Sequence, residues 1–367
     1  MLKVLQDWFR RYFSDEQAVY LLLALVGGLL VVMFLGRMLA PVFAALVVAY
    51  LMQGMINSMV AVGVPRRLSF ITVYCCFVAL LLLSLVVLLP MLWKQFLTLV
   101  QVQFPKLLYA AEDWLRALPE RYPETLNAEQ ISELIGGARH QMTEFGQSVV
   151  ASSLGLLPGL LDVMIFLVLL PMLVFFFLKD RQQLIAGALA MLPPRRHVLS
   201  RVWGEMDDQI ANYIRGKALE IIVVGVAAYV AFILLDLRYA LLLAVLVGLS
   251  VVVPYVGATV VTLPVMVVAW GQFGWGSEFA VVMLVYGVIQ FLDGNVLVPL
   301  LFSEAVNLHP VVIITAILFF GGLWGFWGVF FAIPLATLSK AVMNAWPSVR
   351  VPQPDQSAAP ETASPES

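Results

Sequence analysis

Long apolar runs recur along this chain and restrict its fold more than any other feature. A helix that crosses the hydrocarbon core of a bilayer takes about 20 apolar residues. Only 12% of the 367 residues are charged, against about 25% in a soluble domain. The sequence therefore predicts an all-α, polytopic membrane protein. The long runs cover residues 19–36, 38–56, 70–92, 156–178, 218–235 and 279–302.

Two further apolar regions, 239–270 and 309–338, are interrupted by helix-breaking residues. Such breaks free backbone groups that hydrocarbon cannot satisfy, so they persist only where protein or a cavity covers them. Each region is too short for two comfortable spans and too broken for one. We therefore predict two re-entrant hairpins, each entering and leaving on one side, and about eight hydrophobic segments in all. The alternative is a pair of ordinary tilted helices in each region. The breakers are Pro254, Gly257 and Pro264, then Gly321, Gly322, Gly325, Gly328 and Pro334.

The chain divides into four parts by composition. Residues 1–93 hold an amphipathic N-terminal helix and the first three spans, and residues 94–155 form a small extracytoplasmic helical segment. Residues 156–346 form a transport core that contains both broken regions. Residues 347–367 are rich in Pro, Ser and Ala, a composition that favours a disordered tail.

Positive charges set the predicted orientation. The loop 64–69 carries Arg66 and Arg67, and the longer loop 179–217 carries seven Lys and Arg residues, Lys217 among them. Such loops are retained on the cytoplasmic side. The N-terminus and the C-terminus are then both cytoplasmic.

A weak internal repeat relates the two broken regions. Their last prolines, Pro264 and Pro334, lie 70 residues apart, and each follows an element of an aromatic residue and a glycine. The same offset places Glu220 of the fifth span on Gln290 of the sixth. A helix and a hairpin followed by an inverted copy is an architecture of secondary transporters, which bind substrate at the midplane between broken helices.

Asp293 is the strongest candidate site residue because it lies inside an apolar run. A carboxylate at mid-membrane costs roughly 2.5 to 3.5 kcal/mol on insertion scales. We predict that Asp293 binds a proton or a cation, with Asn295 as a neutral co-ligand and Gln290 on the same helix face. The alternative is a polar cap satisfied by backbone N–H groups at a helix break. Glu220 is a second candidate carboxylate, or else it faces the headgroups.

Four other residues complete the predicted pathway. Gly257 and Gly328 would present backbone amides to a substrate, or would serve only close packing. Arg215 and His309 are candidates for gating; the alternatives are a membrane anchor for Arg215 and a structural role for His309.

Other classes of function find no motif in the sequence. It contains no hydrolase triad, no phosphate-binding loop and no cluster of metal ligands. We therefore predict neither an enzyme nor a cofactor. The net charge of −2 gives no indication of a nucleic-acid partner.

Several ordered motifs resemble one bacterial family, the autoinducer-two exporters, also called PerM-type permeases. The resemblance covers roughly residues 19–340 and is most specific in the C-terminal half. The sequence departs from the family pattern at Lys217, often Gln, at Ala258, often Pro, and at Asp293, often Glu. The matching motifs are F-F-F-L-K-D-R at 175–181, Y-I-R-G-K at 213–217, V-V-P-Y-V-G-A at 252–258, G-N-V-L-V-P at 294–299 and the Gly- and Trp-rich run at 321–336.

The resemblance implies an inner-membrane permease in the lipid bilayer that assembles as a homo-oligomer. It implies export of a small polar organic solute, such as a quorum-sensing signal, coupled to a proton or sodium gradient. Two alternatives stay open at this point. One is a sodium–proton antiporter without organic substrate, and the other is a membrane scaffold that presents residues 94–155 to a partner.

Overall fold

The computed structural model describes residues 16–36, 38–103, 156–190, 197–254, 256–302 and 308–345, with isolated positions between 105 and 144. Every regular element in the ranges between residues 16 and 345 that it describes is a helix, which confirms the predicted all-α class. The predicted amphipathic helix at the N-terminus, most of the segment 94–155 and the tail 347–367 lie outside the described residues.

Five helices make up the described part of the N-terminal half. The third continues past residue 93, where the second part of the chain was predicted to begin, and contains one π-helical turn at Ser84–Leu88. The fifth bends by 79° from the fourth. These helices are α1 (Glu16–Leu35), α2 (Ala40–Ala61), α3 (Arg66–Gln101), α4 (Leu156–Lys179) and α5 (Arg181–Ala190).

Seven helices make up the described part of the C-terminal half. They are α6 (His197–Leu234), α7 (Ala240–Ser250), α8 (Val256–Phe273), α9 (Ser277–Phe302), α10 (Pro310–Trp324), α11 (Phe326–Phe330) and α12 (Ala332–Ala345). The first of these is 38 residues long and begins about 20 residues before the predicted span 218–235. Much of the predicted loop 179–217 is therefore helical.

Several helices have the length and apolar composition that a bilayer requires. Five of the described helices, α2, α3, α6, α8 and α9, are long and apolar enough to cross a membrane. The bent pair α4 and α5 makes a sixth if it is counted as one span. The predicted polytopic architecture is confirmed.

The first broken region folds as a hairpin of α7 and α8. With 11 residues, α7 is about 16 Å long, too short for a hydrocarbon core of about 30 Å. The two ends of the hairpin meet through Gln272, whose Nε2 donates to the carbonyl of Asp236 at 2.7 Å and whose Oε1 accepts from the N–H of Arg238 at 2.8 Å. The hairpin therefore begins and ends beside the Leu234 end of α6, as the re-entrant interpretation requires.

The second broken region folds back on itself through α10, α11 and α12. Ile317 of α10 and Ala332 of α12 belong to one buried cluster. Further along α12, Ala341 packs with Val202 and Met206 near the start of α6. The second hairpin thus approaches α6 from the end opposite to the first.

The tips of the two hairpins meet at the middle of α6. Val252 from the first tip packs in one cluster with Phe330 and Phe331 from the second, together with Tyr213 and Ile214 of α6. The Tyr213 hydroxyl donates to the carbonyl of Phe330 at 2.9 Å. The arrangement is the one that an inverted repeat of helix and hairpin predicts.

Candidate functional site

A cavity of about 430 Å³ lies where the two hairpin tips approach α6 and α9. Both hairpins contribute apolar walls, for example Val253 from the first and Ile333 from the second. The polar side chains come mainly from the two long helices: Tyr213, Lys217 and Glu220 from α6, and Gln290 and Asp293 from α9. The cavity therefore combines a largely apolar wall with three charged groups.

Lys217 and Glu220 form a buried ion pair in this cavity. Their side chains are 4% and 2% exposed, and Lys217 Nζ lies 2.7 Å from Glu220 Oε2. Residues three apart on a helix share a face, so α6 brings the two groups together without help from another element. Glu220 was one of the predicted carboxylates. Lys217 was predicted as a cytoplasmic loop charge, and that prediction is wrong because α6 carries the residue into the protein.

The Lys217 ammonium also contacts two other elements. It donates a second hydrogen bond, 2.7 Å long, to the carbonyl of Val251 at the end of α7. Its Nζ lies 5.4 Å from the centroid of the Phe302 ring of α9, within cation–π distance. One ammonium group thus connects α6, the tip of the first hairpin and α9.

Asp293 lies in the wall of the cavity at the start of a π-helical turn in α9, Asp293–Leu297. Isolated π turns inside α-helices are frequent at functional sites. Its Oδ1 atom is buried and makes no hydrogen bond to any residue that the structure describes. A buried carboxylate oxygen of this kind needs a proton, a cation or another donor to offset its desolvation.

Gln290 belongs to a chain of hydrogen bonds between α9 and the first hairpin. Its Nε2 donates to the Tyr286 hydroxyl at 2.9 Å. The Tyr286 hydroxyl donates to the carbonyl of Ala258 at 3.2 Å and lies 3.0 Å from the Thr262 hydroxyl. The predicted placement of Gln290 one turn before Asp293, on the cavity side, matches the geometry.

The structure places Asn295 outside the cavity. Its side chain is exposed and its Nδ2 donates to the carbonyl of Phe291 at 2.9 Å. Residues two apart on a helix do not face each other, so Asn295 and Asp293 point in different directions. This geometry gives Asn295 no contact with a ligand of Asp293.

The two predicted gating residues also lie away from the cavity. His309 is the N-cap of α10, where its Nδ1 accepts from the N–H of Val311 at 3.3 Å. Arg215 is exposed and donates to the carbonyl of Ala211 at 3.2 Å. The structural alternative for His309 accounts for its contacts.

Gly257 and Gly328 close the tips of the hairpins and do not line the cavity. A methyl group on Gly257 would overlap the carbonyl of Ser250 on the facing arm, and one on Gly328 would overlap the carbonyl of Phe320. Ser250 and Phe320 are 70 residues apart, the offset of the predicted repeat. The packing alternative therefore describes both glycines, and they occupy equivalent places in the two hairpins.

The predicted cytoplasmic loops lie at one end of the molecule. Arg66 and Arg67 at the start of α3 share a cleft with Lys179 and Arg181 at the bend between α4 and α5. Arg181 also lies 3.7 Å from the carboxylate of Asp207 on α6. The basic groups of the two loops therefore face the same side.

Sequence reasoning missed two residues of this site. Lys217 could have been found from its spacing, because a lysine and a glutamate three apart on a helix form a pair. Tyr286 carried no signal, since a tyrosine in an apolar run is common, and only the fold brings its hydroxyl to Gln290.

Comparison with known proteins identifies relatives of this chain. The model of a family described as AI-2E family transporter matches residues 22–348. The putative permease PerM of Escherichia coli strain K12 is 50% identical over 353 residues, which cover 96% of this chain and 100% of that protein. The putative transport protein YueF of Bacillus subtilis is 24% identical, with 84% of each chain covered. The AI-2 transport protein TqsA of E. coli K12 is 22% identical, with 86% of this chain and 90% of that protein covered.

Proposed function

The chain belongs to the AI-2E family of transporters, and from that premise we propose that it exports a small polar organic solute through the cavity between its hairpins. A proton or sodium gradient would drive the export. We further propose that Asp293 carries the coupling charge and that Glu220 is the second carboxylate of the site. One relative is named for AI-2 transport, which makes a solute of that class a first candidate.

The position of Asp293 carries this proposal. It is a buried carboxylate on a helix long enough to cross a membrane, in a cavity that both hairpins close. Intramembrane carboxylates are expensive and are typically found on ion or substrate pathways. A volume of about 430 Å³ falls within the usual range for a small-molecule site, about 300–1,000 Å³.

The arrangement of the hairpins supports alternating access. They approach the cavity from opposite ends of α6, so movement of one hairpin would open the site to one side while the other keeps it closed. Inverted repeats in secondary transporters work in this way around a fixed central site. Gln290 would then orient a polar solute, and Gly257 and Gly328 would keep each hairpin rigid.

We also propose that the protein is an inner-membrane homo-oligomer with both termini in the cytoplasm. The shared cleft of Arg66, Arg67, Lys179 and Arg181 supports this orientation, because basic residues near short loops are retained in the cytoplasm. The segment 94–155 would then face the opposite side.

Proteoliposomes provide the test of transport. Purified protein is loaded with a mixture of polar metabolites that includes AI-2, a pH or sodium gradient is imposed, and the exported compounds are identified by mass spectrometry. Asp293→Asn should abolish gradient-driven flux because it removes the coupling charge. Glu278→Gln is the matched control, an exposed carboxylate in the first turn of the same helix. Wild-type flux in Asp293→Asn would remove the residue from the mechanism.

A sodium–proton antiporter is the second candidate, and the charged groups of the cavity favour it. Three ionisable side chains line a small site, which is sufficient for exchange of small cations alone. Exchange of sodium for protons in proteoliposomes that contain no organic solute would support the antiporter over the exporter.

A further inference from the structure

We propose that Lys217 is a tethered counter-ion: it neutralises Glu220, so that Asp293 is the single carboxylate that exchanges a positive charge with the solution in each transport cycle. The inference rests on the proposed function and adds to it the number of charges and the residue that sets it. It assigns to Lys217 a role as a specificity-determining residue.

The first support is the depth at which the pair is buried. Both side chains are less than 5% exposed and their charged atoms are 2.7 Å apart. A lone buried ammonium or carboxylate is strongly unfavourable, and removal of one partner leaves the other uncompensated. The pair therefore acts as one neutral unit while Lys217 stays in place.

The second support is the saturation of the ammonium group. A lysine ammonium has three N–H donors. One donates to Glu220 Oε2, one donates to the carbonyl of Val251, and the face of the Phe302 ring lies nearby. Val251 is the C-cap of α7, where the helix dipole favours a cation. These contacts leave Lys217 without capacity to neutralise Asp293 as well.

The third support is the charge balance of the cavity. Among the residues that the structure describes there, the charged groups are Lys217 and Glu220 from α6 and Asp293 from α9. The lining residues of both hairpins are uncharged, and Tyr213 is a neutral phenol. With Lys217 and Glu220 paired, the cavity has one negative charge in excess. One proton or one monovalent cation balances it.

Replacement of Lys217 by a neutral residue should therefore change the number of exchanged charges. In Lys217→Gln both Glu220 and Asp293 lack an internal partner, and two external positive charges are needed. Lys217→Arg preserves the tethered charge. Lys217→Gln/Glu220→Gln removes the pair together and leaves Asp293 alone again.

The experiment measures cation flux into proteoliposomes as a function of cation concentration. Sodium flux is followed with radioactive sodium and proton flux with internal pyranine. The Hill coefficient, which is bounded by the number of sites, should be about 1 in the wild type, about 2 in Lys217→Gln and about 1 in both Lys217→Arg and Lys217→Gln/Glu220→Gln. A coefficient in Lys217→Gln equal to that of the wild type overturns the inference.

A gain-of-function variant tests the same idea in the opposite direction. Asp293→Asn should lose cation exchange, and Lys217→Gln/Asp293→Asn should regain it because Glu220 becomes the free carboxylate. A double variant as inactive as Asp293→Asn refutes the role of Lys217. If Lys217→Gln does not fold, a wild-type Hill coefficient in Lys217→Gln/Glu220→Gln supports the inference and a changed one overturns it. A wild type with no flux of any cation or solute would instead refute the proposed function.

Discussion

The hairpin tips allow a stability prediction that does not depend on any transported solute. Gly257 and Gly328 each face a backbone carbonyl of the opposite arm, that of Ser250 or Phe320, with no room for a methyl group. A side-chain end could rotate away from an added methyl group, but a backbone carbonyl in a helix cannot. Gly257→Ala and Gly328→Ala should therefore force the two arms of each hairpin apart.

The size of the effect follows from two opposing terms. Insertion of a methyl group into a close-packed contact costs about 1–3 kcal/mol. Alanine has a helix propensity that is better than that of glycine by about 1 kcal/mol. The clash is with main chain, so the net loss should be about 1–2 kcal/mol in each variant. For a protein of this size each kcal/mol lowers Tm by about 2–4 °C.

Thermal unfolding of detergent-purified protein, followed by tryptophan fluorescence, measures the difference. Gly322→Ala in α10 and Gly287→Ala in α9 are the controls, because an added methyl group at either position meets no atom within 4 Å. Their Tm should stay level or rise. If Gly257→Ala and Gly328→Ala match these controls, the hairpins are not closed by main-chain contact. If only one of them falls, the equivalence of the two tips is refuted.

Three further predictions concern the ends of the first hairpin, the site and the orientation. Gln272→Ala removes both hydrogen bonds that join the hairpin ends, each worth about 0.5–1.5 kcal/mol, and should lower Tm measurably; an unchanged Tm would mean that packing alone holds them. Tyr286→Phe removes the hydroxyl to which Gln290 donates; at about 0.6 kcal/mol for a hydrogen bond between membrane helices, KM for the solute should rise about threefold with the cation dependence unchanged. In a variant without the two native cysteines, an impermeant maleimide added to intact cells should label Trp275→Cys and leave Arg66→Cys unlabelled, and the reverse pattern would invert the orientation.

The number and approximate position of the spanning helices could be predicted from composition alone. Hydrocarbon leaves few alternatives for a run of about 20 apolar residues. The start of α6 could not be predicted in this way, since its first part is amphipathic and carries charges that resemble those of a loop. Glycine and proline located the two hairpins, because they mark the points where backbone groups lose their helical partners.

The site could be predicted only where helical spacing decides it. Gln290 and Asp293 are three apart and share a face, and the same rule excludes Asn295 at two residues from Asp293. The burial of Lys217 depends on a contact with Val251, 34 residues later in the chain. No local pattern reports such a contact, and a rule that counts charges at the ends of apolar runs assigns the lysine to the cytoplasm.

The two halves of the core are related in backbone but not in charge. The offset of 70 residues that pairs Ser250 with Phe320 also pairs Glu220 with Gln290, and it places Gly287 opposite Lys217. Only the first hairpin can therefore be tied to its helix by an ammonium group, since α9 has no lysine at the equivalent position. In an inverted-repeat transporter the two end states exchange the conformations of the halves. We expect the empty protein to favour the state in which Lys217 holds the first hairpin, and charge exchange at Asp293 to have its effect on the second.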